Sequence, residues 1–550
     1  MTVIEYIQRL WRASEGFRFR IIQMTVTGMV SVCASLFFVY ITKRLVDIAT
    51  GTVEGSIMES VALMIGCMAL QLLIWTVDSW LETQYGLQLD NKLRYQLFNR
   101  LMVSRWYGKE KFHSGDMISR LDSDVGQVSG IISYTVPAVI ITLFQLVFAF
   151  IYLCTMDVGL AWILVFVMPV AVLTSKLYMH RMRTLNKEIR KTDSRLQEHI
   201  QESLLHRTLI RTLEYTPGTV LRMGNLQKQL YDQVRRRTDF GLFSRGMVQT
   251  GFDVSYVVAF LWGIRGLTSG EVTFGMMTAF LQLVAMVQSP IVSLSRQIPA
   301  FVRALTSMER IAELEAVPME QEAKSVRLQG PVGIRLNDVD FTYPEGSHKI
   351  LNEFSFNFLP GSRTALMGET GVGKSTLIRL MLALLQPDKG TIGIYNEKRE
   401  VRVSVDTRCN MVYVPQGNTL LSGTVRDNLL MGKPDATEEE MGRALHTAAA
   451  DFVFGLSDGL DTLCGEQGAG LSEGQAQRIA IARGLLRPGG LLLLDEPTSS
   501  LDEATEKLLL ERLMTSVCDK TFIIVTHRET VLQWCTHVLR LKKISNQLYY

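Results

Sequence analysis

At 550 residues the chain is long enough for several domains, and 47% hydrophobic residues beside 20% charged ones fit a membrane region joined to a soluble one. A formal net charge of +3 is too small to imply a nucleic-acid partner. The seven cysteines (33, 67, 154, 409, 464, 518 and 535) have no CxxC and no metal spacing, so neither a disulfide scaffold nor a zinc site is supported.

No cleavable signal peptide is expected, because the first apolar segment is too long and lacks a small-residue cleavage site. Residues 1–17 read instead as an interfacial elbow helix, with Ile4, Ile7, Leu10 and Trp11 on one face and Arg9 and Arg12 beside it. Six apolar stretches of spanning length follow, at 21–46, 57–80, 130–153, 158–178, 247–269 and 274–296. Each supplies about 20 apolar-rich residues, enough to cross about 30 Å of hydrocarbon. Basic residues crowd 181–195 and 235–237, whereas the short loops near Asp47–Glu54, Asp157 and Glu271 are acidic or neutral. That asymmetry places the long connections and both termini in the cytoplasm. The expected location is a cell membrane, crossed several times, a bacterial inner membrane.

The second and fifth stretches carry Gln71, Asp78 and Asp253. Gln145, Gln282 and Gln288 also lie in spans, where interhelical hydrogen bonding is favoured over substrate contact. The connections 85–128 and 179–246 have helical periodicity and are too long for turns, so they should carry the membrane helices into the cytoplasm. A helix over Arg303–Pro318 should close the membrane region, residues 18–318, before a polar linker at 319–330. A soluble domain then occupies 331–550.

Within it, Ser362–Gly368 reads as a strand, and Lys374 onward, with Leu377, Ile378, Leu380 and Met381, as a helix. Between them run Gly368, Glu369, Thr370, Gly371, Val372, Gly373, Lys374, Ser375 and Thr376, a GxxxxGK[ST] loop in strand–loop–helix context. Its backbone N–H groups and the helix N-terminus should cradle phosphates. Lys374 would reach the β- and γ-phosphates of ATP, and the Ser375 hydroxyl would ligate Mg²⁺. Leu491–Glu496 reads as a buried parallel strand with carboxylates at its C-terminal edge. Asp495 would hold the Mg²⁺ shell and Glu496 would polarise the attacking water.

With LSEGQ at Leu471–Gln475 between them, these motifs resemble the ATP-binding cassette family. The resemblance implies that Tyr343 stacks on adenine. It also implies that Gln416 is the Q-loop residue touching Mg²⁺ and water, and that His527 is the switch histidine. Thr462–Gly468 is similar to the segment before the exporter signature, and Ser499–Asp502 to the D-loop. Ser472, Gly474 and Gln475 would meet the ATP held by a partner chain. The family's usual signature has glycine where this chain has Glu473. Lys111–Val125 and Glu202–Thr216 resemble exporter coupling segments; ordinary solvated hairpins are the alternative.

Six spans followed by one cassette resemble an ABC half-transporter of exporter type: an α-helical transmembrane domain, then an α/β P-loop ATPase domain. No peptidase domain is expected before the first span and no regulatory extension after His527. The resemblance implies ATP-driven export with ATP and Mg²⁺, a second half-transporter chain in a C2 homodimer, surrounding membrane lipids and no nucleic acid. Glu473 leaves half of a heterodimer as the other assembly. A soluble ABC ATPase of DNA repair or translation conflicts with six apolar stretches. An ATP-gated channel or regulatory subunit stays open, although Glu496 and His527 favour turnover. The substrate is not readable: a lipid, a peptide or an amphipathic drug.

Overall fold

A computed structural model of the chain describes residues 3–104, 114–156, 158–320, 324–343, 349–369, 371–465, 470–544 and 547–549. It divides into two compact units, Met1–Phe98 with Ile118–Glu313, and Asn99–Met117 with Leu314–Tyr550.

The first unit is helical. In chain order come α1 (Val3–Ala13), α2 (Arg18–Ala49), α3 (Ile57–Val103, whose last residues belong to the second unit) and α4 (Ser114–Ser119, which begins in the second unit). A π turn, Arg120–Asp124, leads to α5 (Val125–Gly130), and a second, Ile131–Thr135, to α6 (Val136–Met156). Then follow α7 (Val158–Leu205), α8 (Arg207–Thr212), α9 (Thr216–Ser269) and α10 (Phe274–Glu315, whose last two residues belong to the second unit).

Among the described residues, three helical stretches are long and apolar enough to cross a membrane: Arg18–Ala49, Ile57–Val103 and Gly115–Met156. The other three expected spans fall on α7, α9 and α10. Helices of 47, 48 and 54 residues, α3, α7 and α9, run about 70–80 Å at 1.5 Å per residue. That is more than twice the hydrocarbon thickness, so each must continue well outside the bilayer.

Small residues bring the spans together. Ala149 on α6, Ala259 on α9 and Ala279 on α10 are buried in one cluster with Val39, Leu153, Phe280, Leu283 and Val284. Gln145 donates from α6 to the Met286 carbonyl on α10 at 3.1 Å, an interhelical bond of the kind expected for the span glutamines. The Gln288 side chain lies outside the described residues. Asp47, near the end of α2, accepts the Gly275 N–H at 3.0 Å and so satisfies an orphan donor in the first turn of α10.

The face of α1 differs from the expectation. Tyr6, Leu10 and Ala13 pack against Leu89, Val128, Ile132 and Met308, while Trp11 is 58% exposed with the Arg18 guanidinium over its ring. Successive helical residues lie about 100° apart, which turns the Trp11 ring away from the neighbours that Leu10 meets. Ile4 and Ile7 have no described side chains.

Among its described residues the second unit holds twelve strands. They are β1 (Gly333–Thr342), β2 (Lys349–Phe358), β3 (Arg363–Gly368), β4 (Lys389–Tyr395), β5 (Glu400–Arg402) and β6 (Met411–Val414). After these come β7 (Gly423–Thr424), β8 (Leu463–Cys464), β9 (Leu491–Asp495), β10 (Thr521–Val525), β11 (His537–Ile544) and β12 (Gln547–Tyr549). Its helices are α11 (Lys374–Met381), α12 (Val425–Leu430), α13 (Glu438–Thr447), α14 (Glu473–Leu486) and α15 (Glu503–Ser516).

The central sheet has the order β12-β11-β3-β10-β9-β6, parallel from β11 to β6. An antiparallel sheet, β2-β1-β4-β5, accompanies it. Both faces of the parallel sheet are covered, which is why β9 reads as an unbroken run of leucines. Leu491 and Leu493 join the core with α11 and the antiparallel sheet, whereas Leu492 and Leu494 join the core with α14 and α15.

Candidate nucleotide-binding and hydrolysis site

Three adjacent parallel strands, β3, β10 and β9, end at Gly368, Val525 and Asp495. Open α/β sheets bind ligands outside such carboxyl ends, and the sequence-predicted Gly368–Thr376 loop, His527 and Glu496 follow these three ends. Gly368, Gly371 and Gly373 hold φ of 153°, 83° and 106°, backbone that a side chain would strain. Gly373 caps α11, and a helix N-terminus leaves its first N–H groups unpaired and available to phosphate oxygens. Thr370 lies outside the described residues.

Lys374, 8% exposed, donates to the Gly368 carbonyl at 2.5 Å and meets His527 Nε2 at 2.7 Å. Glu496 Oε1 lies 3.2 Å from the same Nε2, and Glu496 Oε2 accepts from Gln416 Nε2 at 2.8 Å. Lys374, His527, Glu496 and Gln416 therefore form one chain of contacts. Burial pushes the Lys374 ammonium below its ordinary value, with Glu496 and Asp495 pulling it back up. Glu496 itself has φ 47°, the left-handed region, and its N–H donates to Val525 O at 3.0 Å. That turn aims the carboxylate across the strand ends instead of along β9.

Asp495, at the end of β9, is half-buried, and burial raises its pKa above the usual carboxylate range. Glu496 raises it further, while a hydrogen bond from Tyr413 (3.3 Å) and the charges of Lys374 and Arg379 oppose the rise. The Ser375 hydroxyl is exposed and has no hydrogen-bond partner among the described residues. Ser375, Asp495 and Gln416 offer a hydroxyl, a carboxylate and an amide, the hard oxygen donors that suit Mg²⁺.

Tyr343 stands edge-on to Phe341, ring centroids 5.0 Å apart. Its hydroxyl shares a hydrogen bond with Thr376 at 3.1 Å and accepts from Arg379 at 3.3 Å. Ser472, Gly474 and Gln475 lie elsewhere, at the start of α14. Ser472 and Gln475 cap that helix reciprocally: Ser472 Oγ accepts the Gln475 N–H at 3.2 Å, and Gln475 Oε1 accepts the Ser472 N–H at 2.9 Å. Gly474 is buried against the following loop, and a Cβ there would meet the Ser500 carbonyl at 2.6 Å. Glu473 is exposed, with no hydrogen bond or ion pair among the described residues. Residues 466–469, part of the segment before the signature, lie outside the described residues.

Two contributors escaped the sequence reading. Tyr413 alternates with the buried Val412 and Val414 on β6 and reaches Asp495. Arg379 stands four residues after Ser375 on α11, a spacing that puts both on one face and could have flagged it.

The family model for the ABC transporter transmembrane region matches residues 21–291. That for the ABC transporter itself matches residues 351–499. An ATP-dependent lipid A-core flippase of Pseudomonas fluorescens is 30% identical over 467 residues, covering 83% of this chain and 76% of its own length. A fatty acid ABC transporter ATP-binding/permease protein of Mycobacterium tuberculosis is 28% identical, covering 80% and 70%. A solved structure of a bacterial Atm1-family ABC exporter with ATP bound superposes with a TM-score of 0.80 at 21% identity, covering 97% of this chain and 95% of that one.

Proposed function

The chain belongs to the ABC transporter family as an exporter half-transporter, a membrane-spanning region fused to an ATP-hydrolysing cassette, and we propose the following division of labour among its residues. Lys374 binds the β- and γ-phosphates, and Glu496 polarises the attacking water. Gln416 orients that water and the carboxylate together. His527 turns from Lys374 toward the γ-phosphate once the lysine engages phosphate. The carrying observation is the Lys374–His527–Glu496–Gln416 chain of contacts at the ends of β3, β10, β9 and β6. Mg²⁺ would be held by Ser375, Asp495 and Gln416, and when bound it supplies charge neutralisation between the phosphates. Tyr343 would stack on adenine.

The working unit is a homodimer with C2 symmetry. Each ATP lies between the phosphate loop of one copy and the Ser472–Gln475 segment of the other. Exposed apolar side chains at the α7–α9 tip, Leu204, Leu205, Leu209, Leu213 and Tyr215, support this reading, because such a cluster calls for a cover. The second copy's cassette provides it. The membrane is a bacterial inner membrane, with the cassette in the cytoplasm.

For the substrate we favour a lipid-like amphiphile, the class named in both relatives above. The test is ATP-driven movement of a fluorescent acyl-chain phospholipid between leaflets of proteoliposomes. Movement abolished by Glu496→Gln supports the reading. ATP turnover that no member of a lipid, peptide and drug panel alters would instead favour the gated-channel alternative.

A further inference from the structure

The segment after α10 carries a contact that the nucleotide chemistry does not use. Glu320 accepts from Arg408 through both carboxylate oxygens, each at 2.7 Å, and the two side chains are only 17% and 25% exposed. This is the two-pronged geometry that makes an arginine–carboxylate pair directional. Arg408 lies in the 3₁₀ turn Val405–Asn410, just before β6.

The same guanidinium is also seated on the phosphate-loop helix. Its Nε donates to the Leu382 carbonyl at 2.8 Å, and one terminal nitrogen to the Ala383 carbonyl at 2.7 Å. Leu382 caps the C-terminus of α11, and Ala383 turns left-handed with φ 53°. A cation there satisfies orphan carbonyls and complements the negative end of the helix dipole.

On its other side Glu320 is tied to α3. Its N–H donates to the carbonyl of Val103, the last residue of that helix, at 2.9 Å. Met319 bridges Ser104, and Arg100 donates to the Glu315 carbonyl. All these residues belong to the second unit. One residue, Glu320, therefore holds the inner end of α3 by its backbone and a cation on α11 by its side chain. α11 has eight residues, about 12 Å. A shift at its C-terminus is carried directly to Lys374 at its first position.

We propose that Glu320 and Arg408 are positioning residues that couple the inner end of α3 to the phosphate-loop helix. The proposal rests on the reading of Lys374 as a phosphate ligand. In the native protein, engagement of phosphate by Lys374 shifts α11, and the pair passes that shift to α3.

The test uses the full chain in proteoliposomes. Hydrogen exchange of residues 95–104 is followed with and without ATP, beside steady-state ATP hydrolysis. In the unaltered protein, ATP changes exchange in this segment. Glu320→Ala leaves Arg408 on its two carbonyls, so KM for ATP stays within about twofold while the ATP-dependent change at 95–104 falls at least about fivefold. Arg408→Lys, which keeps the charge without the fork, gives an intermediate loss. A full ATP response at 95–104 in Glu320→Ala overturns the proposal. So does a collapse of nucleotide affinity in that variant to the level of Lys374→Ala, which would make the pair a local prop for the loop. Failure of the unaltered chain to bind ATP would overturn the functional reading as well.

Discussion

Gln416 donates its side-chain amide to Glu496, 2.8 Å from Nε2 to Oε2, although 80 residues separate them in sequence. The contact crosses the C-terminal edge of the sheet from the segment after β6 to the end of β9, which are neighbours there. A glutamine on a loop and a carboxylate on a strained strand end thus share one hydrogen bond, and movement of either changes the other.

Removing the buried cation should separate binding from folding. Lys374→Ala deletes the ammonium from the phosphate loop but leaves Gly368 and Gly373 in their conformations. Nucleotide affinity should fall at least about tenfold, with turnover lost, since a charge-assisted phosphate contact is removed. Isothermal titration with ATP and a phosphate-release assay read both quantities. Unchanged affinity and turnover would remove the phosphate-loop assignment.

The antiparallel sheet offers a test by pH. Asp340, 5% exposed, accepts the Glu353 N–H and the Lys349 ammonium at 2.8 and 2.9 Å, and these bonds, the backbone one foremost, hold its pKa below the usual carboxylate range. A depressed pKa contributes stability that is fully present above the unfolded value, about 3.9, and is lost as pH falls through the lower folded value. Thermal inactivation of the ATPase should therefore accelerate below about pH 4. Asp340→Asn should inactivate faster at neutral pH but show a shallower dependence on acid.

A tight approach near the ends of α2 and α10 gives a packing test. A Cβ on Gly275 would stand 2.3 Å from the Lys43 carbonyl and 2.4 Å from an Asp47 carboxylate oxygen. Backbone cannot yield as a flexible side chain does, so Gly275→Ala should destabilise the helical unit by about 1–3 kcal/mol. Thermal denaturation in nanodiscs would show a lower midpoint, and an unchanged midpoint would mean that the two helices separate readily there.

Assembly is open to a direct test. Expressed alone, the chain should give a particle of twice its mass with ATPase activity, by mass photometry in nanodiscs. An inactive monomer rescued only by a different half-transporter would contradict the homodimer.

The sequence made the glycine-rich turn before α11, the strand β9 and the apolar stretches of α2, α3 and α6 legible because each is a contiguous signal: glycines at fixed spacing, four leucines before two acids, runs of about 20 apolar residues. What stayed hidden was set by tertiary contact. Tyr413 reaches Asp495 only because β6 lies beside β9. The buried face of α1 depends on which neighbours meet Tyr6 and Leu10, and periodicity alone could not choose it over the Trp11 side. The Glu320–Arg408 pair joins positions 88 residues apart that no local motif connects.

The central claim is that Glu496 activates water for ATP cleavage at a site built from this chain. The most direct measurement is ATP turnover by the reconstituted protein alone, native against Glu496→Gln, with bound nucleotide counted in the same samples. Removal of a positioned base should lower turnover about 10²–10⁴-fold. The variant should nonetheless retain ATP, trapped uncleaved in a closed dimer. Turnover close to native in Glu496→Gln would contradict the account.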